Sequence, residues 1–212
     1  MPRPRLHEPD RILDAVESLA VEFGPAAVTI RGVSAAVGVS NGALYHTFGS
    51  RSGLLGHAWL RAGRRFLCVQ NTLVDQAFRD EGPQAAVAAV VAAADAPAVF
   101  AEQYPASAEL LLTVRRKEVV DVNLPDEITS EISDLNRQLI GLMIRLAVNL
   151  WERKDTLAVD TITACIVDLP TAILLQRKRL GSATARAHLR AAVSAVLDVG
   201  PPPPKKGKNH RK

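Results

Sequence analysis

Residues 29–55, TIRGVSAAVGVSNGALYHTFGSRSGLL, constrain the fold of this chain more than any other stretch. Two short apolar patterns are separated only by a glycine turn, and a longer pattern follows at once. Thr29 stands where an N-cap is needed, and Ile30, Val33 and Ala36 or Val37 then recur at helical spacing. Gly38 can take the left-handed backbone that ends a helix, and Val39 can fill the core at the turn. Ser40 is placed to cap a second helix over about 41–48. Its inward face is Leu44 and Phe48, and its outward face is Asn41, Gly42, Tyr45 and His46. Ser50 caps a third helix that starts at Arg51. Gly32, Gly42 and Gly53 each cost on the order of 1 kcal/mol inside a helix relative to Ala, so three together call for a local reason. The pattern predicts a helix-turn-helix whose second helix has the chemistry to enter a DNA major groove.

The residue types fit that chemistry. A helix N-terminus presents unpaired N–H groups and partial positive charge, which suits a phosphate. The Thr29 and Ser40 hydroxyls stand beside two such ends. Tyr45 carries a hydroxyl on a stiff arm that can reach a backbone phosphate. Arg51 neutralises phosphate, and Arg31 either does the same or forks onto a guanine edge. Gly42 lets the helix lie close to the groove.

The segment from about Asp10 to Gly56 resembles the TetR family of bacterial transcriptional regulators. The resemblance rests on Ile12-Leu13-Asp14-Ala15, Glu22-Phe23-Gly24, Val28-Thr29-Ile30-Arg31, Gly38-Val39-Ser40-Asn41-Gly42-Ala43-Leu44-Tyr45, Phe48-Gly49-Ser50-Arg51 and Leu54-Leu55, in order and at the family's spacing. Two positions depart from the family pattern. Thr47 stands where a His is usual, with the His one step earlier at His46, and Arg51 stands where a Lys is usual. Both replacements can touch phosphate. The resemblance implies DNA contacts from Thr29, Arg31, Ser40, Asn41, Gly42, Tyr45, His46, Thr47 and Arg51.

Composition leads to an all-α fold: 48% of the 212 residues are apolar, many of them Ala, Leu and Val, and strand-like alternation is scarce. Residues 11–23 carry Ile12, Leu13, Val16, Leu19, Ala20 and Phe23 on one face. A long helix over about 51–78 follows, with the stripe Leu55, Trp59, Ala62, Phe66, Val69 and Leu73. Further helices are expected over 83–94, 97–103, 105–115, 126–153, 158–180 and 183–197, with Pro97 and Pro105 as breaks and 121–125 as a loop. The domains expected are an arm at 1–9, a DNA-binding domain at 10–56, a larger domain at 57–199 and a disordered tail at 200–212. The tail, GPPPPKKGKNHRK, holds five cations against a net charge of +4, so the rest of the chain is nearly neutral and its overall basicity says little about a DNA surface. Cys68 and Cys165 have no metal-ligand spacing and are expected to be buried free thiols in a reducing compartment. The first ten residues lack the apolar core of a signal peptide, and the Ala-rich run at 85–101 is interrupted by Asp95 and Pro97, so it is expected to be a buried helix and not a membrane span. A cytoplasmic protein without metal or cofactor is expected.

The TetR resemblance further implies a ligand cavity in the second domain and pairing of its last two long helices with a second copy. The cavity candidates are Trp59, Ala62, Phe66, Phe100, Tyr104, Leu111 and Met143, with Gln103 and Arg115 as polar anchors. Each also fits an ordinary core. The candidates for a homodimer interface are Ile162, Cys165, Ile166, Leu169, Ile173 and Leu174 on one helix and Leu189, Val193 and Val196 on the other. The leading expectation is a ligand-responsive repressor that binds a palindromic double-stranded DNA operator as a homodimer and is released by a small molecule. The alternatives are an enzyme of small hydrophobic substrates that carries a helix-turn-helix, or a DNA-binding regulator without a ligand. No G-x-S-x-G, H-E-x-x-H or phosphate-cradling Gly-rich loop favours the enzyme, so no catalytic residue is assigned.

Overall fold

A computed structural model of the chain describes residues 8–80, 82, 84–113 and 124–204. Among the described residues every regular element is helical. They are α1 (Glu8–Phe23), a 3-10 turn (Pro25–Ala27), α2 (Ile30–Val37), α3 (Asn41–Phe48), α4 (Arg51–Arg79), α5 (Ala85–Gln103), α6 (Pro105–Thr113), α7 (Asp126–Trp151), α8 (Thr156–Leu175) and α9 (Ala183–Val199). Two compact units divide the chain: Met1–Cys68 with Val99–Arg137, and Val69–Ala98 with Gln138–Lys212. Helices α4, α5 and α7 each continue from one unit into the other. Most of the expected arm, most of the tail, residues 121–123 and the run Arg115-Arg116-Lys117 lie outside the described residues.

In the first unit, α1 packs against both α2 and α6. Ile12, Val16, Val28, Val33, Leu44 and Leu54 close its apolar core. Phe23 departs from the predicted face. It is 62% exposed, because the last residue of α1 stands beyond the helices it packs on. Glu17 is a buried acid on the apolar face of α1. Its Oε1 accepts from Arg61 Nε at 3.1 Å and Nη2 at 2.8 Å, and its Oε2 accepts from Ser107 Oγ at 2.8 Å. Arg65 Nη1 donates to the same Ser107 hydroxyl at 3.0 Å. The network ties α1, α4 and α6 together. On α4, Gly56 and Gly63 are one heptad apart and face Ile128 and Leu135 of α7, whose side chains leave little room for a Cβ.

The second unit is built from the ends of α4 and α7, most of α5, and all of α8 and α9. Its core includes Val74, Val90, Leu146, Ile162, Leu189 and Val193. The spacing predicts separate helices before and after residues 95–96; the structure has one helix, with Pro97 inside it. Proline cannot donate to the carbonyl four residues back, here Ala93. The Gln70 side chain takes over that bond, its Nε2 donating to Ala93 O at 3.0 Å. A similar departure marks α8, where Ala164–Asp168 and Thr171–Leu175 are π-helical on either side of Pro170. The wider turn makes room for a proline ring that an α-turn would crowd.

Helices α5 and α8 are long and apolar enough to cross a membrane by length and composition alone. In this fold each contributes a buried face to the core of the second unit, and Asp95 of α5 takes two bonds from Arg186 of α9, at 2.9 and 2.7 Å. Both cysteines are free thiols, but Cys68 is exposed where burial is predicted; Cys165 is buried. The phase of α4 explains this, since Leu67 and Val69 on either side of Cys68 turn inward.

Candidate nucleic-acid interface

The reading helix is set in place by its caps. Thr29 has extended backbone and its Oγ1 accepts from Gly32 N–H at 3.0 Å; Ser40 does the same for Ala43 N–H at 3.2 Å. Gly38 ends α2 at φ +70°, and the Arg11 guanidinium donates to the Val37 carbonyl there. Ser34 Oγ donates to Val39 O at 2.7 Å and closes the turn. Leu44 and Phe48 anchor α3 in the core, and His57 meets the Phe48 ring edge-on at 5.4 Å. Burial pushes the His57 pKa down, against the opposing pull of Glu131 and Glu127.

The opposite face of α3 is open. Asn41, Gly42, Tyr45, His46 and Thr47 are exposed, Tyr45 by 55%, as are Thr29, Arg31 and Ser40. No acid lies between residues 29 and 55 to oppose a phosphate. Besides the capping hydroxyls of Thr29 and Ser40, two of the predicted contact residues are engaged within the protein. Thr47 Oγ1 donates to Ala43 O at 3.0 Å. Arg51 Nε donates to Val28 O at 2.6 Å and its Nη2 to Pro25 O at 2.5 Å, so its guanidinium ties the start of α4 to the turn before α2.

The three glycines separate by cause. A Cβ at Gly53 would overlap the Phe48 carbonyl, and one at Gly32 would press on Thr29 Oγ1 at 3.1 Å, so internal packing accounts for both. A Cβ at Gly42 would meet nothing within 4 Å. Its missing side chain has no internal explanation and fits close approach by an outside partner.

Residues 12–58 match the model of the bacterial regulatory proteins, tetR family. The fold agrees. The regulator PfmR of Thermus thermophilus, titled a TetR family member, superposes with a TM-score of 0.63 at 20% identity, over 93% of this chain and 97% of that one. Residues 12–58 carry the helix-turn-helix segment of the TetR family. A protein of Pseudomonas aeruginosa PAO1 superposes on this chain with a TM-score of 0.72 at 17% identity, covering 93% and 91%. The ketosteroid transcriptional regulator KstR2 of Mycobacterium tuberculosis does so with a TM-score of 0.60 at 17% identity, covering 96% and 98%. Comparison with curated proteins gives no match. The N-terminal segment thus matches a regulatory DNA-binding family, and the whole chain shares the fold of these solved structures.

The cavity candidates are not all brought together. Phe66 and Phe100 stack edge to face at 5.5 Å, Phe100 lies 5.7 Å from Tyr104, and the Arg65 guanidinium sits 5.1 Å over the Tyr104 ring. Phe100 and Ala62 are buried, Trp59 and Leu111 are half-buried, and Gln103 and Tyr104 are exposed. Gln103 and Tyr104 also border a cleft of about 250 Å³ with Arg65, Ser18 and Asp14. Met143 belongs to the second unit, where its sulfur accepts from Thr163 Oγ1 at 3.5 Å. Arg115 lies outside the described residues.

Among the interface candidates, Ile162, Cys165, Ile166, Leu174, Leu189 and Val193 are buried inside the chain's own core, and Leu169, Ile173 and Val196 are partly exposed. The Glu17–Arg61–Ser107 network and Gln70 have no counterpart in the sequence reading. Glu17 left one signal, an acid at an inward position of an amphipathic helix.

Proposed function

We propose that this chain is a TetR-family regulator, a repressor that binds a palindromic operator as a homodimer in the cytoplasm and leaves it when a small molecule binds the part of the chain beyond residue 56. The exposed, acid-free face of α3, with Gly42 at its N-terminal end, carries the reading. Tyr45, Thr29 and Ser40 hold backbone phosphates, while Arg31, Asn41 and His46 face base edges. One copy reads too few base pairs, and two copies place their reading helices about 34–36 Å apart or a multiple of that.

The outer face of α8 and α9 supports the pairing. Leu157, Ala164, Ala195, Val196 and Val199 line an open apolar groove of about 500 Å³, and Val199 is 87% exposed. With most of the sequence-based candidates serving the chain's own core, the partner-facing role passes to these outward residues. The aromatic group Phe66, Phe100 and Tyr104, and the ketosteroid in the name of KstR2, support an apolar ligand.

The test is to select bound fragments from the source genome with purified protein and titrate variants on the selected operator. Arg31→Ala relaxes preference at one base pair per half-site by about 1–3 kcal/mol, whereas Tyr45→Phe weakens all sequences alike. Ala195→Glu and Val199→Glu yield folded monomers in sedimentation. Wild-type protein that sediments as a monomer at micromolar concentration, or selects no fragment, refutes the proposal.

A further inference from the structure

The chain does not trail away from the second unit where α9 ends. Gly200 closes the helix at φ +69°, a backbone that a side chain would resist, and four prolines follow at 201–204. None of them has an N–H, so the segment can continue neither a helix nor a sheet, and its fixed φ angles make it cheap to hold extended. Arg153 holds it. Its Nη1 donates to Pro202 O at 2.8 Å, while Nε and Nη2 donate to the two carboxylate oxygens of Asp155 at 2.7 and 2.9 Å. Asp155 in turn caps α8, accepting from Leu157 N–H at 3.2 Å. One guanidinium thus straps the proline segment to the start of α8. The strap puts Pro202 at the edge of the apolar groove that Leu157 and Ala164 of α8 share with Ala195 of α9. Pro202 itself stays exposed, so this fastening adds little to the chain's own core. Beside it stands Val199, 87% exposed, the most exposed large apolar side chain among the described residues.

We propose that the proline strap is part of the surface on which two copies of this chain pair, that Arg153 positions it there, and that each groove takes up the second copy's Val199. This rests on the homodimer read above and names what completes its contact. The patch is self-complementary, with an apolar hole and an apolar knob side by side. A two-fold axis sets one patch against its own copy, so each knob meets the other's hole. A partner of another sequence would account for the groove and not for the knob beside it. The strap suits a dry contact. Burying it strands no N–H, and the Pro202 carbonyl already has its donor in Arg153. Little ordering entropy is lost when a segment already held in place is covered.

Sedimentation equilibrium of three chains reads the strap: the full chain, one ended after Pro204 and one ended after Gly200. Ending at Pro204 removes the five cations of 205–212 and should not weaken pairing. Ending at Gly200 also removes the strap and should weaken pairing about tenfold. Arg153→Gln in the full chain should do the same. In the chain ended after Gly200 it should change nothing further, because no strap is left to position. A role through Asp155 and α8 alone would weaken pairing in both backgrounds and would overturn the part given to Arg153. Val199→Ala should weaken pairing in the full chain; unchanged pairing removes the occupant and the proposal with it. Helical circular dichroism checks that every chain is folded, and the two shortened chains decide the matter if Arg153→Gln does not fold. Equal pairing of those two overturns the proposal while the homodimer stands, and the strap is then only the end of α9. A full chain that is monomeric at micromolar concentration overturns the homodimer and the strap together, and the groove belongs to another partner.

Discussion

Replacing Arg61 by Met tests whether the Glu17 network holds the first unit together. The Glu17 and Arg61 side chains are only 3% and 11% exposed, and Arg61 gives Glu17 Oε1 both of its hydrogen bonds in this network. In Arg61→Met that carboxylate keeps only the Ser107 hydroxyl and Arg65 at 3.7 Å. Breaking a buried pair from one side costs about 3–5 kcal/mol, since the remaining charge stays desolvated. Arg65 and Ser107 place the loss near the lower end, about 3 kcal/mol. Glu17→Gln should cost less, about 1–2 kcal/mol, because Arg61 retains Asp14 at 2.8 Å and the Asp10 carbonyl at 2.9 Å, both near solvent. The double variant should recover most of the Arg61→Met loss. Urea unfolding followed by helical circular dichroism reads all four proteins. For a chain of this size, 1 kcal/mol corresponds to about 2–4 °C in melting temperature. Equal losses for Arg61→Met and Glu17→Gln, or a loss below about 1 kcal/mol for Arg61→Met, would show that the carboxylate is solvated and the network is not a clamp.

Gly53→Ala is expected to destabilise by about 1–3 kcal/mol although Ala is the better helix former, because its Cβ meets the Phe48 carbonyl; thermal unfolding measures it. Gly42→Ala is expected to leave the melting temperature unchanged or raise it while weakening operator binding in a gel-shift titration. Burial pushes the Cys165 thiol up to about 11, so iodoacetamide at neutral pH should modify exposed Cys68 and spare Cys165 in a peptide mass map. The Arg153 guanidinium holds the Asp155 carboxyl at about 2, below its ordinary 3.8, so its contribution is complete above 3.8 and lost as pH falls through 2. The urea midpoints of wild type and Asp155→Asn should therefore converge over that window.

What the sequence made legible follows from how local each cause is. The caps at Thr29, Ser40 and Ser50 act over three residues, and all three hydroxyls accept from an N–H in the first turn that follows. The 126–153 helix is local in the same sense: on α7, Ile128, Ile132, Leu135, Leu142 and Leu146 share one phase and are buried. On α4 the phase failed: Leu54, Ala58 and Leu60 are buried along with the predicted Ala62 and Val69, whereas the predicted Leu55, Trp59, Phe66 and Leu73 are only partly buried. The break expected at Pro97 failed as well. The rule that proline ends a helix assumes that the freed carbonyl finds no donor, and the donor here is Gln70, 23 residues from Ala93. Arg51 also had its role set by partners far along the chain, the carbonyls of Pro25 and Val28. The Gln70 and Arg51 bonds satisfy polar groups across a long sequence separation, which neither periodicity nor a motif encodes. The exposed face of α3 could be read from spacing alone, whereas a buried amide such as Gln70 is explained only by the carbonyl it meets on another helix.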